Sequence, residues 1–279
     1  MTIKAVVVDM DGTFLNDEKT YDRERFLSIK QEMEKQQMHF VVASGNQYWR
    51  LVDYFPDLGE QLFYIADNGA DIRYHSEQVR VKTIAKEFHR PLLNYLKDEL
   101  PDHRLVLSGK KGVYIHHQLP QDFVAHVKFF YRHITQIDLQ QPIPDDIFKF
   151  ALNFPAEQLA NANQQLHDVF GEELTVVTSG HQALDIISNS AGKEVGIREL
   201  QKKFQLNKDE IAVFGDNMND VGMFREVTHS YAMGNALLPV KEAASQVIGS
   251  NNEQAVLDKI EEFFIGGAVD GCQAVKSSN

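Results

Sequence analysis

The sequence predicts an α/β fold, in which a mostly parallel sheet core receives an inserted α+β module. Three observations lead there. Strand-length apolar runs alternate with amphipathic helical segments near both chain ends, the pattern of parallel strands joined by helices. Between them lies a stretch of different character, with alternating strands and three helical segments. The first apolar run then ends in Asp9-Met10-Asp11-Gly12-Thr13, where open α/β sheets keep their chemistry, just beyond the carboxyl end of a strand.

The elements follow in order. Residues 5–8 are an unbroken apolar run, suited to a strand buried on both faces. Residues 22–36 read as an amphipathic helix, 39–43 as a second buried strand, 47–54 as a helix stopped by Pro56, and 62–66 as a third strand. Asp67-Asn68-Gly69 breaks the pattern, and 71–74 pairs with 78–82 around His75-Ser76-Glu77. The middle stretch gives strands at 104–108, 112–115, 148–153, 174–178 and 184–187, with helices near 88–100, 122–132 and 157–170. The alternation returns with a helix at 193–204, a buried strand at 211–214 and the polar loop Gly215-Asp216-Asn217-Met218-Asn219-Asp220. Short strands at 229–233 and 246–248 and a helix at 253–264 complete it. The expected division is a core of 1–82 and 188–265, an inserted module of 83–187, and a small polar, mobile tail from 266 to 279.

Composition narrows the function. The 279 residues are 43% hydrophobic and 24% charged, enough for one or two globular domains with a proper core. A net charge of -12 argues against nucleic acid or an anionic membrane as partner, because both need a cationic footprint. Any phosphate site must therefore be locally positive. One cysteine, Cys272, permits no disulfide within the chain, and no run of apolar residues reaches membrane-spanning length. A cytoplasmic protein without an obligate protein partner is expected.

Asp9, in the loop after the first strand, is free to attack an electrophile, and Asp11 can face the same space and handle a proton. Gly12 lets the chain turn without a Cβ penalty. The same letters also suit a plain polar turn. Asp-x-Asp-Gly-Thr arises by chance in roughly one chain in several hundred of this length, given about 5% usage per residue, so the motif favours function. Ser44-Gly45 alone reads as a strand-to-helix turn, Lys193 alone as a solvated helix residue, and Asp216 with Asp220 as a helix cap. Asn68-Gly69 reads as a turn before it reads as a contact. His116 and His117 would point to opposite faces of a strand, and Tyr48, Trp49 and Phe129-Phe130-Tyr131 read as packing.

Four motifs in order alter those odds: Asp9-Met10-Asp11-Gly12-Thr13, Ser44-Gly45, Lys193 in SAGKEVG, and Gly215-Asp216 with Asn219-Asp220. With them, nearly the whole chain resembles a Cof-type, class IIB member of the haloacid dehalogenase (HAD) superfamily, in its bacterial sugar-phosphatase branch. The resemblance implies a Rossmann-like core with a cap, and a phosphatase that acts through an aspartyl phosphate. It implies Asp9 as nucleophile and Asp11 as acid and then base. Mg²⁺ would be held by Asp9, Asp216 and the backbone carbonyl of Asp11, since that ion takes oxygen ligands from one or two carboxylates plus substrate phosphate. Ser44, Gly45, Lys193 and Asn219 would bind the phosphate of a small phosphorylated metabolite, with sugar phosphates first, and Asp220 would stand behind the metal ligands. Many relatives carry Thr-Gly-Arg where this chain has Ser44-Gly45-Asn46, so one guanidinium is absent here. The loop Ser179-Gly180-His181-Gln182 is a candidate specificity element, or a solvated hairpin tip. A sugar phosphomutase, a non-catalytic phosphometabolite sensor and, more distantly, a dehalogenase are the competing readings.

Overall fold

Ala5, Val6, Val7 and Val8 offer no polar face to water, and all four are fully buried in β1 (Ala5–Val8). The computed structural model describes residues 2–179 and 183–270, with side chains as far as Phe264. After β1 come α1 (Arg23–Lys35), β2 (His39–Ala43), α2 (Tyr48–Tyr54), β3 (Phe63–Ala66), β4 (Asp71–Tyr74), β5 (Glu77–Val81) and α3 (Lys86–Glu99). Next are β6 (Arg104–Gly109), β7 (Val113–His116), α4 (Gln121–Phe130), β8 (Ile134–Ile137), β9 (Ile147–Asn153), α5 (Leu159–Phe170), β10 (Leu174–Thr178) and β11 (Ala183–Ser188). The chain continues through α6 (Lys193–Phe204), β12 (Ile211–Gly215), α7 (Val221–Arg225), β13 (His229–Ala232), α8 (Leu238–Ala243), β14 (Gln246–Val247) and α9 (Ala255–Asp270). It divides into two units, residues 1–42 with 197–279, and residues 43–196.

In the first unit the strands run β14-β13-β12-β1-β2, every neighbouring pair parallel. β1 lies between β12 and β2, with Val8 level with Phe214 on one side and Val42 on the other. That central place explains its wholly apolar sequence. α1 starts where the Asp22 side chain accepts the Arg25 N–H at 3.0 Å, an N-cap worth about 1 kcal/mol. It buries Phe26, Ile29 and Met33, the spacing of one helical face. Phe26 meets Phe14 and Phe40 with ring centroids 5.3 and 4.7 Å away. Arg25 ties α1 to α9 through Asp258 and Glu261, both at 2.6 Å. α9 continues to Asp270, beyond the helix end expected at 264. The short α7 and α8 were not anticipated, because five or six residues cannot display a helical period.

In the second unit, β3, β4 and β5 form an antiparallel meander. The turn between β4 and β5 is His75 and Ser76 alone, both with positive φ, and Glu77 already belongs to β5. Two left-handed residues match the twist of a tight hairpin. A second sheet has the order β10-β11-β9-β6-β7-β8, antiparallel except for β7 with β8. Strand alternation divides its side chains between two helical layers. Leu105, Leu107, Phe150 and Leu152 pack with Leu92 and Leu96 of α3 and Leu166 of α5. The intervening Val106 and Ala151, with Val113 and Ile115, pack with Phe123, Val124 and Val127 of α4. Truncating any of the fully buried leucines would cost about 2–5 kcal/mol. β8, reading ITQI, carries no apolar strand signal in the sequence because it is polar and half exposed. Among the described residues no helix is long and apolar enough to cross a membrane.

Candidate active site

Parallel pairing of β1 with β12 sets the end of one strand beside the end of the other, and the chain leaves both as carboxylates. Asp9 donates its backbone N–H to Phe214 O at 3.0 Å, and Asp216 follows Gly215, the last residue of β12. One oxygen from each of Asp9, Asp216 and Asp220 lies within 4.8 Å of the others. Asp9 and Asp220 are buried and Asp216 is half-buried. Three carboxylates so close repel one another unless a cation joins them. The donor set is all oxygen, which suits a hard divalent ion such as Mg²⁺ or Ca²⁺.

Supporting contacts explain why the local sequence has this form. Thr13 Oγ1 donates to Asp216 Oδ1 at 2.8 Å. Gly12 has φ +85°, and a Cβ there would stand 2.6 Å from Asp216 Oδ2, so both the turn and the close approach require glycine. Asp220 Oδ2 accepts the N–H groups of Asp216 and Asn217, each at 3.0 Å, which closes the loop from behind. Asn235 Nδ2 donates to Gly12 O at 2.7 Å, and Asn235 Oδ1 accepts the Asn251 N–H at 3.0 Å. The Asp11 carboxylate is not one of this trio and forms an ion pair with Lys19 at 2.7 Å. Asn219 is half-buried in the helical turn Met218–Asp220. Thr13, Lys19 and Asn235 had no role in the sequence analysis. Asn235 lies just after β13, and an amide supporting a glycine carbonyl leaves no local pattern.

In the second unit, Ser44, Gly45 and the residues before Lys193 gather around one turn. Ser44 is buried; its Oγ accepts the Asn46 N–H at 3.0 Å and its carbonyl accepts the Asn68 N–H at 3.1 Å. A Cβ on Gly45 would lie 3.2 Å from the Asn68 amide nitrogen, and one on Gly69 would overlap the Gly192 carbonyl. Asp67, Asn68 and Gly69 all have positive φ, at 47, 53 and 82°. Asn68-Gly69 is thus a turn, and a buried one. Lys193 opens α6 with only 1% of its surface exposed, so it is not the solvated helix residue that its type suggests.

Other expectations change. The His116 and His117 rings lie 4.3 Å apart instead of on opposite faces, because β7 ends at His116 and strand alternation stops there. His116 Nδ1 accepts the Gln118 N–H, His117 Nδ1 faces Ile137 O, and neither ring belongs to the acidic cluster. Phe129 is half exposed, with the Arg50 guanidinium 5.0 Å from its ring, so its packing is at the surface. Tyr48 is buried beneath Arg73. Residues 180–182 of the candidate specificity loop lie outside the described residues.

Residues 6–260 match the family described as haloacid dehalogenase-like hydrolase. The chain is 35% identical over 264 residues to 5-amino-6-(5-phospho-D-ribitylamino)uracil phosphatase YbjI of Escherichia coli, covering 95% of this chain and 97% of that protein. It is 22% identical over 271 residues to the Bacillus subtilis protein YitU, which bears the same phosphatase name, covering 93% and 97%. The crystal structure of SMU.1108c from Streptococcus mutans superposes with a TM-score of 0.91 at 31% identity, covering 95% of this chain and all of the other. The chain therefore belongs to the haloacid dehalogenase-like hydrolase family, as a phosphoric monoester hydrolase within it.

Proposed function

We propose that the chain is a Mg²⁺-dependent phosphatase of small, sugar-derived phosphate monoesters and works through an aspartyl phosphate on Asp9. The observation that carries this reading is the gathering of the Asp9, Asp216 and Asp220 oxygens after two adjacent parallel strands, with Asp11 two residues beyond Asp9. Asp9 and Asp216, with the Asp11 backbone carbonyl, are the proposed metal ligands. Bound there, Mg²⁺ would offset the charge of carboxylate and phosphate, which otherwise repel.

The protein's own groups perform the remaining chemistry. An Asp9 oxygen attacks phosphorus, the phosphorus–ester oxygen bond breaks, and Asp11 gives its proton to the departing alkoxide. Water then attacks phosphorus of the acyl phosphate while the Asp11 carboxylate takes a proton from it, which releases phosphate and restores Asp9. One residue thus acts as acid and then base. The hydroxyl of Ser44, the N–H of Gly45, the ammonium of Lys193 and the amide of Asn219 are the proposed phosphate-binding groups. Asp220 holds the Asp216 loop in place through two backbone N–H groups. Residues 83–187 are the proposed inserted cap.

The substrate reading joins two supports. The family resemblance favours sugar phosphates, and the E. coli relative is named for a phosphorylated ribityl compound. Both carry a phosphate on a polyhydroxylated carbon chain. The test is phosphate release from a panel of hexose phosphates, pentose phosphates and 5-amino-6-(5-phospho-D-ribitylamino)uracil, with Mg²⁺ and with EDTA. Turnover that needs Mg²⁺ and favours a member of this class is expected. Turnover unaffected by EDTA, or confined to phosphates without a polyol chain, would refute it.

A further inference from the structure

A lysine in the apolar strand β9 (IFKFALN) has no business with solvent: Lys149 is 2% exposed. A buried ammonium persists only with partners. Its Nζ donates to the backbone carbonyl of Gly45 at 2.5 Å and lies 3.4 Å from Asp185 Oδ2 and 3.5 Å from Asp67 Oδ1. Both carboxylates are themselves buried. Asp185 Oδ2 also accepts from the Asn68 side-chain amide at 2.7 Å, so the cluster reaches the turn beside Ser44. Burial alone would lower the Lys149 pKa, but Asp185, Tyr131 and Asp67 outweigh it and hold the group cationic.

The consequence follows from the rigidity of one peptide. The Gly45 carbonyl and the Asn46 N–H belong to a single planar unit and point in opposite directions. Lys149 grips the oxygen end, and the N–H end donates to Ser44 Oγ at 3.0 Å. With that acceptor site filled from behind, the Ser44 hydroxyl has its proton to give elsewhere. Turning the peptide would release both contacts together. Lys149 comes from a strand far along the chain, yet it fixes the angle at which the Ser44-Gly45 loop presents its donors.

We propose that Lys149 is a positioning residue for phosphate binding: clamped between Asp185 and Asp67, it locks the Gly45–Asn46 peptide and thereby aims the Ser44 hydroxyl and the loop at a phosphate oxygen. This rests on the proposed phosphate role of Ser44 and Gly45. It reaches past that role to a residue that touches no substrate.

The test measures affinity for inorganic phosphate by calorimetry, with KM and kcat for the best ester, on the full chain and four variants. Ser44→Ala establishes the underlying reading: if it leaves phosphate affinity unchanged, the loop does not bind phosphate and the proposed role of Ser44 fails. Given a loss there, Lys149→Met is expected to weaken phosphate binding and raise KM at least tenfold, with kcat within about threefold of the parent. Lys149→Met/Asp185→Asn removes the opposing charge as well and carries the same expectation if the single variant does not fold. Asp67→Asn, which removes one side of the clamp but keeps the Lys149 contact to Gly45, should weaken phosphate binding by clearly less than Lys149→Met does. A folded lysine-free variant with parental phosphate affinity, or an Asp67→Asn loss equal to that of Lys149→Met, would overturn the proposal.

Discussion

Replacing Gly12 by alanine tests the acidic centre without touching a carboxylate. The residue has φ +85°, where an L side chain is strained, and strain of this kind costs about 1–3 kcal/mol. The new Cβ would stand 2.6 Å from Asp216 Oδ2 and 3.0 Å from its Cγ. Ordinary contact begins near 3.4 Å, so the carboxylate must retreat by about 0.8 Å. Retreat strains the 2.8 Å hydrogen bond from Thr13, and hydrogen bonds to charged groups contribute about 1.5–3 kcal/mol. The two effects together place the loss at about 2.5–6 kcal/mol if the hydrogen bond is lost entirely. A displacement near 1 Å at a catalytic group can cost about a hundredfold in rate. Mg²⁺ titration of phosphate release should therefore show at least a tenfold weaker half-activating concentration and a reduced maximal rate. Denaturant unfolding of the same sample should show the accompanying loss of stability. A Gly12→Ala protein that keeps both the Mg²⁺ dependence and the rate within twofold would refute the role given to Asp216.

Two further outcomes concern the second unit. Asp71 is buried, and burial raises its pKa to about 6 despite the opposing pull of Arg73, whose Nε donates to both of its oxygens. A carboxyl group whose folded pKa is raised favours the fold most below its unfolded value near 3.8, and that contribution is lost as pH rises through about 6. At about 1.4 kcal/mol per unit, the lost contribution reaches roughly 3 kcal/mol. Asp71→Asn should flatten the stability profile between about pH 4 and pH 6, measured by denaturant unfolding, and an unchanged slope would contradict the assignment. Gly69→Ala places a Cβ on the Gly192 carbonyl at φ +82°. Destabilisation of about 2–4 kcal/mol is expected, together with a raised KM as the turn beside Ser44 shifts, and parental values for both would sink this reading.

Much of the first unit was legible because its signals are local. Ala5 to Val8 can only be buried, and the carboxylates follow where a parallel strand must end. α6 was foreseen at its observed bounds, since SAGKEVG supplies its start and an apolar period carries it to Phe204. Contacts between distant residues were not legible. Lys149 reads as any lysine until Asp67, Asp185 and the Gly45 carbonyl are found around it, though a cation inside IFKFALN was a signal that a buried partner existed. Lys19 likewise reads as part of a charged loop, and only its φ of 60° and its ion pair with Asp11 give it a place. β8 was lost because burial, which makes strands readable, does not shape a half-exposed ITQI. His116 and His117 misled because alternation was extended one residue past the strand.

The central claim is that Asp9 takes the phosphoryl group. Rapid acid quench of a single turnover, followed by peptide mass spectrometry, tests it most directly. The expected result is a phosphoryl adduct on the peptide containing Asp9, formed and lost at rates consistent with turnover and absent from a folded Asp9→Asn protein that releases no phosphate. No adduct at any time point, with Asp9→Asn still turning over at a rate near the parent, would contradict it.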